Sequence, residues 1–161
     1  MSESDHVWIM RPVEHNDTVQ LGQLTTTIYG NMWKRAGDAS YYEWKLFRED
    51  APAAPGFVAV ADKQIVGSVL SCRKRFRLGD KVSWSLERGD AMTHPDYRRQ
   101  GMWQELMSGL TTAGDEKGAF PVMGFPAPEP FLGHKKKFSQ RAFLNIWRMV
   151  LPLKPTAVSL Q

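Results

Sequence analysis

The eleven residues Thr93-His94-Pro95-Asp96-Tyr97-Arg98-Arg99-Gln100-Gly101-Met102-Trp103 constrain this chain more than any other segment. They follow an apolar, strand-like run and open an amphipathic helix, so the chain turns from strand to helix through a basic, Gly-containing loop. The first amides of a helix have no intrahelical acceptor, and the macrodipole adds partial positive charge at the same end. Gly101 has no side chain to hold an anion away from those amides, and Arg98 and Arg99 add full charges. A site of this kind suits a pyrophosphate. It is not one of the common nucleotide loops. A P-loop needs a second Gly and a Gly-Lys-Ser/Thr ending, and a dinucleotide fingerprint needs Gly-x-Gly-x-x-Gly; the stretch has neither.

Composition narrows the classes further. A chain of 161 residues, 42% hydrophobic and 24% charged, has the make-up of one globular domain with a proper core. A net charge of +4 suits an anionic small ligand and is too small to argue for nucleic acid. Cys72 is the single cysteine, so neither an internal disulfide nor a thiolate zinc cluster is available, and no metal site is expected. The first residues lack the basic and apolar regions of a signal peptide, and no apolar run reaches membrane-spanning length. The expectation is a cytoplasmic protein with no membrane partner.

Periodicity orders the elements. A first strand is expected over residues 6–11, then a helix capped by Asn16 or Asp17 that runs to about Tyr29 with Val19, Leu21, Leu24 and Ile28 as its apolar stripe. After a loop over residues 30–37, Asp38 caps a second helix whose Tyr42, Trp44, Leu46 and Phe47 are partly buried. Strands follow over 57–61, 65–77 and 82–93, with turns at Asp62-Lys63 and Leu78-Gly79-Asp80-Lys81. A helix over 98–117 carries Trp103, Leu106, Met107, Leu110 and Ala113 at three- and four-residue spacing, with Gly118 at its end. A short strand over 120–125, a helix over 130–138 and a strand over 143–153 complete the chain.

The loop Arg98-Arg99-Gln100-Gly101-Met102-Trp103 resembles the Arg/Gln-x-x-Gly-x-Gly/Ala loop of the GNAT N-acetyltransferase superfamily. The lead-in Thr93-His94-Pro95-Asp96-Tyr97-Arg98 fits that superfamily's Val-x-Pro-x-Tyr-Arg pattern, with Thr in place of Val. Trp103 departs from it, standing where a small residue is usual. Two further stretches, Tyr42-Glu43-Trp44-Lys45 and Gly124-Phe125-Pro126, are similar to a branch of the superfamily.

The resemblance implies an α/β (α+β) GNAT fold over the whole chain: a mixed, twisted sheet with splayed central strands, flanked by helices. It implies acetyl-CoA as cosubstrate. The backbone of Ala91, Met92 and Thr93 would hold the pantetheine arm, and Arg98, Arg99, Gln100, Gly101, Met102 and Trp103 the pyrophosphate. Direct transfer to a primary amine needs a base, an oxyanion donor and an acid, but no enzyme nucleophile. Cys72 is therefore read as a small buried apolar residue. Asp90 is the preferred base and Glu87 the second choice; the alternative for both is an ordinary solvated or paired carboxylate. Many members place a Tyr acid on the last helix. Here that segment reads Lys135-Lys136-Lys137-Phe138-Ser139-Gln140, which leaves His134 as the candidate acid.

The acceptor, a small molecule or peptide bearing an amine, is expected near Tyr29, Trp33, Tyr41 and Tyr42. The runner-up function is a catalytically silent GNAT module that binds acyl-CoA as a sensor or partner. An apolar final strand followed by only a short tail raises a further expectation: a second copy of the chain covers that edge, giving a homodimer.

Overall fold

In a computed structural model the described residues are 7–30, 37–49, 53–118, 122–125 and 136. The chain divides into two compact units, Met1–Phe125 and Pro126–Gln161, and the first carries every element below. The helix expected over 130–138, the strand over 143–153, the dimer-forming edge, Trp33 and His134 lie outside the described residues.

Among the described residues five strands form one mixed sheet in the order β1-β2-β3-β4-β5: Ile9–Pro12, Phe57–Ala61, Gln64–Leu78, Lys81–Thr93 and Val122–Gly124. The first four pair antiparallel and β5 joins β4 in parallel. β2 and β3 meet through the two-residue turn Asp62-Lys63, both at positive φ (48° and 63°), as a hairpin matched to the sheet's twist requires. The pairing of β4 with β5 ends at Arg88↔Gly124. Pro126 then has no amide hydrogen to give to a ladder. β4 continues to Thr93 without a β5 partner among the described residues.

The helices are α1 (Thr18–Tyr29), α2 (Ala39–Phe47) and α3 (Met102–Glu116). Asp38 caps α2 as expected, its Oδ1 accepting the Ser40 amide at 3.0 Å. Leu21, Leu24, Tyr42 and Leu46 pack with Val58, Ile65, Leu70 and Met92 to bury one face of the sheet. α3 covers the other face. Its Gly109 lies against Met10 and Phe57, and its Gly114 against Leu86. Successive strand residues point to opposite faces, and Phe57 and Val58 divide accordingly between the two layers. Gly67 lets β3 and α3 approach closely, since a Cβ there would run into the Met102 sulfur.

Three expectations need correcting. Val19 and Trp44, read as apolar-face residues, are 56% and 59% exposed; α2 buries only Tyr42 and Leu46, one turn apart. Helix α3 begins at Met102 rather than Arg98, because Arg99 and Gly101 take φ of 64° and 82° and cannot belong to a right-handed helix. Cys72 is only half-buried.

The entry to α1 is fixed by charge. Arg11 donates to both oxygens of Asp17 at 2.7 Å, and Asp17 also accepts the Glu14 amide at 2.7 Å. Burial alone would raise the Asp17 carboxyl, but the Arg11 and Glu14 hydrogen bonds outweigh it and hold it below its ordinary 3.8. The pair therefore stabilises the fold fully above that pH, and the contribution is lost as pH falls through the depressed folded value. Asp17→Ala is expected to cost about 2 kcal/mol, read as a lower urea midpoint at neutral pH. The difference from wild type should shrink at strongly acid pH.

Candidate functional site

The loop and the strand that feeds it come first. β4 gains one residue against β3 between the pairs Leu70↔Gly89 and Ser68↔Met92, which makes a bulge. Asp90 occupies it with φ 46°, a left-handed conformation that few residues other than Gly adopt. Ser68 secures the distortion by donating its hydroxyl to the Asp90 carbonyl at 2.8 Å. Beyond the bulge Ala91 is exposed, Met92 buried and Thr93 half-buried. A 3-10 turn over Pro95–Tyr97 then leads into Arg98, Arg99, Gln100 and Gly101, all exposed.

Gly101 is the N-cap of α3. Its carbonyl accepts from Gln104 at 2.8 Å and Glu105 at 3.2 Å. Hydrogen bonding within the helix thus begins with the Gln104 amide. A Cβ built on Gly101 would meet nothing within 4 Å among the described residues. Open space in front of a fifteen-residue helix, with two exposed arginines beside it, is a geometry that accepts an anion. Met102 is buried against Gly67 and Trp103 half-buried, so these two contribute backbone and support to the loop. The expected pyrophosphate residues are brought together here.

A second feature lies on the α1/α2 side of β3 and β4. A cavity of about 220 Å³ is lined by Tyr41, Trp44, Lys45, Cys72, Lys74 and Glu87 among others. Glu87 stands directly across from Cys72, and its Oε2 lies 3.6 Å from the Lys74 ammonium. Burial pushes the Cys72 thiol up, with the Glu87 charge adding to it, so the sulfur stays protonated and is a poor nucleophile. Lys45 both lines this cavity and reaches Asp90, with Nζ 2.5 Å from Oδ2. Burial pulls the Lys45 ammonium down, but the Asp90 charge and hydrogen bond outweigh it and the net shift is upward. The two candidate bases thus differ. Glu87 lines the cavity, whereas Asp90 is held at the bulge by a lysine.

Tyr41 and Trp44 line the cavity, while Tyr42 is core. The Tyr42 hydroxyl is bonded to the Thr25 hydroxyl at 2.5 Å, and Thr25 also reaches the Met92 sulfur at 3.4 Å. Burial raises the Tyr42 phenol, which leaves it neutral. Sequence reasoning gave Lys45 no role, although Tyr42-Glu43-Trp44-Lys45 was among the distinguishing stretches. Nothing local ties residue 45 to residue 90. Among the described residues no group of three His, Cys, Asp or Glu side chains is placed to hold a metal, and no helix is long and apolar enough to cross a membrane.

The comparisons with known proteins agree with this architecture. No curated protein matches the chain. Among solved structures, a Trypanosoma brucei acetyltransferase is 18% identical with a TM-score of 0.65, over 89% of this chain and 99% of that one. A Clostridium acetobutylicum predicted acetyltransferase, solved with acetyl-CoA, is 13% identical with a TM-score of 0.72, over 89% and 96%. An aminoglycoside acetyltransferase from an uncultured soil metagenomic sample, solved with sisomicin, is 17% identical with a TM-score of 0.66, over 91% and 99%. At these identities the likeness establishes the fold. The profile of the acetyltransferase (GNAT) domain matches residues 10–135, most of the chain. With that match, the bulged strand and the loop at the head of α3, this chain belongs to the GNAT acetyltransferase family.

Proposed function

We propose that the chain is an acetyl-CoA-dependent N-acetyltransferase that moves an acetyl group directly to a primary amine. The observation that carries this is the juxtaposition on one strand. β4 holds Glu87 at the cavity, has no β5 partner past Arg88 among the described residues, and ends in the loop whose Gly101 caps the head of α3. The amides at the head of α3, with Arg98 and Arg99, would hold the pyrophosphate, and the backbone of Ala91, Met92 and Thr93 the pantetheine arm. When bound, acetyl-CoA supplies the thioester whose acetyl group is transferred. This chain's own work is to bind and orient, and to take the amine's proton on a carboxylate. Asp90 and Glu87 are the two candidates for that proton, and each is within reach of Lys45 or Lys74. Cys72 takes no covalent part.

A second reading, a binder of acyl-CoA without turnover, draws support from two facts. Lys45 occupies one oxygen of Asp90, and the stretch 135–140 contains no Tyr. Free-thiol release from acetyl-CoA over a broad panel of amines separates the two. Amine-dependent thiol release is the expected result. Thermal stabilisation by acetyl-CoA with no thiol release favours the silent binder, and neither effect overturns both readings.

A further inference from the structure

Two carboxylates of β4 each meet a lysine, and the contacts differ. Lys74 and Glu87 stand 3.6 Å apart with the lysine half-exposed, a contact that water screens. Lys45 and Asp90 meet at 2.5 Å with both side chains mostly out of water. The lysine comes from α2 and the aspartate from the bulge of β4, so this contact ties a helix to the distorted part of the strand.

Lys45 is steadied on its own helix as well. Tyr41, one turn earlier on the same face, accepts from Nζ at 3.5 Å and sets its ring centroid 5.6 Å from the ammonium. The ammonium passes over Gly89, 3.6 Å from where a Cβ would stand. The Asp90 charge outweighs the effect of burial, so Lys45 stays an ammonium, with three donors and no lone pair to take an amine's proton.

Asp90 is gripped at both ends. Ser68 donates to its carbonyl at 2.8 Å and Lys45 to Oδ2, while Oδ1 accepts no hydrogen bond among the described residues. Its φ of 46° suits glycine best, yet the glycine stands one position earlier, at 89. The chain thus keeps a carboxylate where the backbone favours no side chain at all. Such conformations persist when their surroundings over-determine them, and they gather at functional sites.

Resting on the N-acetyltransferase reading above, we propose that Lys45 is a positioning residue for Asp90: by occupying Oδ2 it fixes the carboxylate at the bulge and leaves Oδ1 to take the amine's proton. It thereby favours Asp90 over Glu87 as the base, since the Lys74 contact is longer and more exposed. Lys45 itself forms and breaks no covalent bond in the transfer.

The test is a double-mutant cycle on the full chain with acetyl-CoA. A broad amine panel, with ethanolamine, putrescine, glycinamide, tyramine and sisomicin among its members, supplies the acceptor, which is the amine that wild type turns over fastest. Lys45→Met should lower kcat by about 10- to 100-fold, the scale of a misplacement of about 1 Å, with KM for acetyl-CoA within about twofold. Lys45→Arg, which keeps a cation, should recover most of the turnover. In an Asp90→Asn background Lys45→Met should change kcat by less than about twofold, because nothing is left to position. Melts of the free chains give a second readout. Lys45→Met and Asp90→Asn should each lower Tm by several degrees, and the double variant by no more than either single one. Should Lys45→Met fail to fold, Lys45→Gln takes its place in the cycle. An undiminished kcat in Lys45→Met, or an equal loss in both backgrounds, would overturn the positioning role and leave acetyl transfer standing. Full turnover by Asp90→Asn would do the same. Stabilisation by acetyl-CoA with no thiol from any amine would overturn the transferase reading, and the role of Lys45 with it.

Discussion

Acetyl-CoA is expected to stabilise the wild-type chain against heat, and Gly101→Glu to abolish that stabilisation. A ligand at a hundredfold excess over its dissociation constant stabilises a fold by about 2.7 kcal/mol. For a chain of this length that is a rise in Tm of roughly 5–11 °C. The substitution places bulk and negative charge in the clear space ahead of α3, where a Cβ meets nothing within 4 Å among the described residues. The fold itself has room for the side chain. It would register the φ of 82°, a conformation that costs a residue with a Cβ roughly 1–2 kcal/mol. Gly101→Ala shares that backbone cost without the charge, and is the proper reference. The alanine variant should start from a Tm lowered like that of the glutamate variant, yet retain most of the shift with cofactor. A glutamate variant that keeps the full shift would mean that the loop is misassigned. A wild-type chain without any shift at millimolar acetyl-CoA would remove the cofactor reading altogether.

The second large effect concerns the proton. Asp90→Asn is expected to lower turnover by about 10²- to 10⁴-fold, the usual range for loss of a general base, with little change in cofactor affinity. The side chain also has a partner to consider. Lys45, with a side chain only 14% exposed, would keep its ammonium without the carboxylate that now offsets its burial. A fall in stability is therefore expected alongside the loss of rate, and thermal melts must accompany the kinetics. The pH–rate profile separates the roles. If Asp90 is the base, the acidic limb disappears in Asp90→Asn and persists in Glu87→Gln. An unchanged profile in Asp90→Asn with a flattened one in Glu87→Gln gives the role to the cavity carboxylate. No change in either points to solvent.

Much of this architecture was legible because local chemistry carried it. Asp62-Lys63 and Gly79 marked turns that the backbone makes at positive φ, and Asp38 marked the cap of α2. The turn from strand to helix was legible too, since the Gly-containing basic stretch marks it and α3 begins directly after Gly101. What escaped was non-local. Trp44 is exposed because α2 turns only Tyr42 and Leu46 into the core, and periodicity gives a stripe without its edges. The start of α3 was misread because Arg98, Arg99 and Gln100 carry no apolar pattern to mark a boundary, while the left-handed turns at Arg99 and Gly101 depend on the path from β4. Cys72 was read as core from its residue type, and only strand pairing sets it opposite Glu87 on the cavity wall. The Lys45–Asp90 pair spans forty-five residues and left no periodic trace.

The extra residue at Asp90 has a consequence for how the two halves of the reaction are kept together. Counted along an unbroken strand, residues five apart have opposite parity and look to opposite sides of the sheet. Glu87 and Met92 are five apart, yet their partners Cys72 and Ser68 are four apart on β3 and share one side. The inserted residue is a phase shift in the strand, and it turns an odd interval into an even one. Because of it, the cavity carboxylate and the end of the strand that leads to the loop are delivered to the same side of the molecule. A chain one residue shorter between Gly89 and Ala91 would keep every side chain named here apart from the one removed. It would nonetheless present Glu87 to one layer of helices and Met92 to the other.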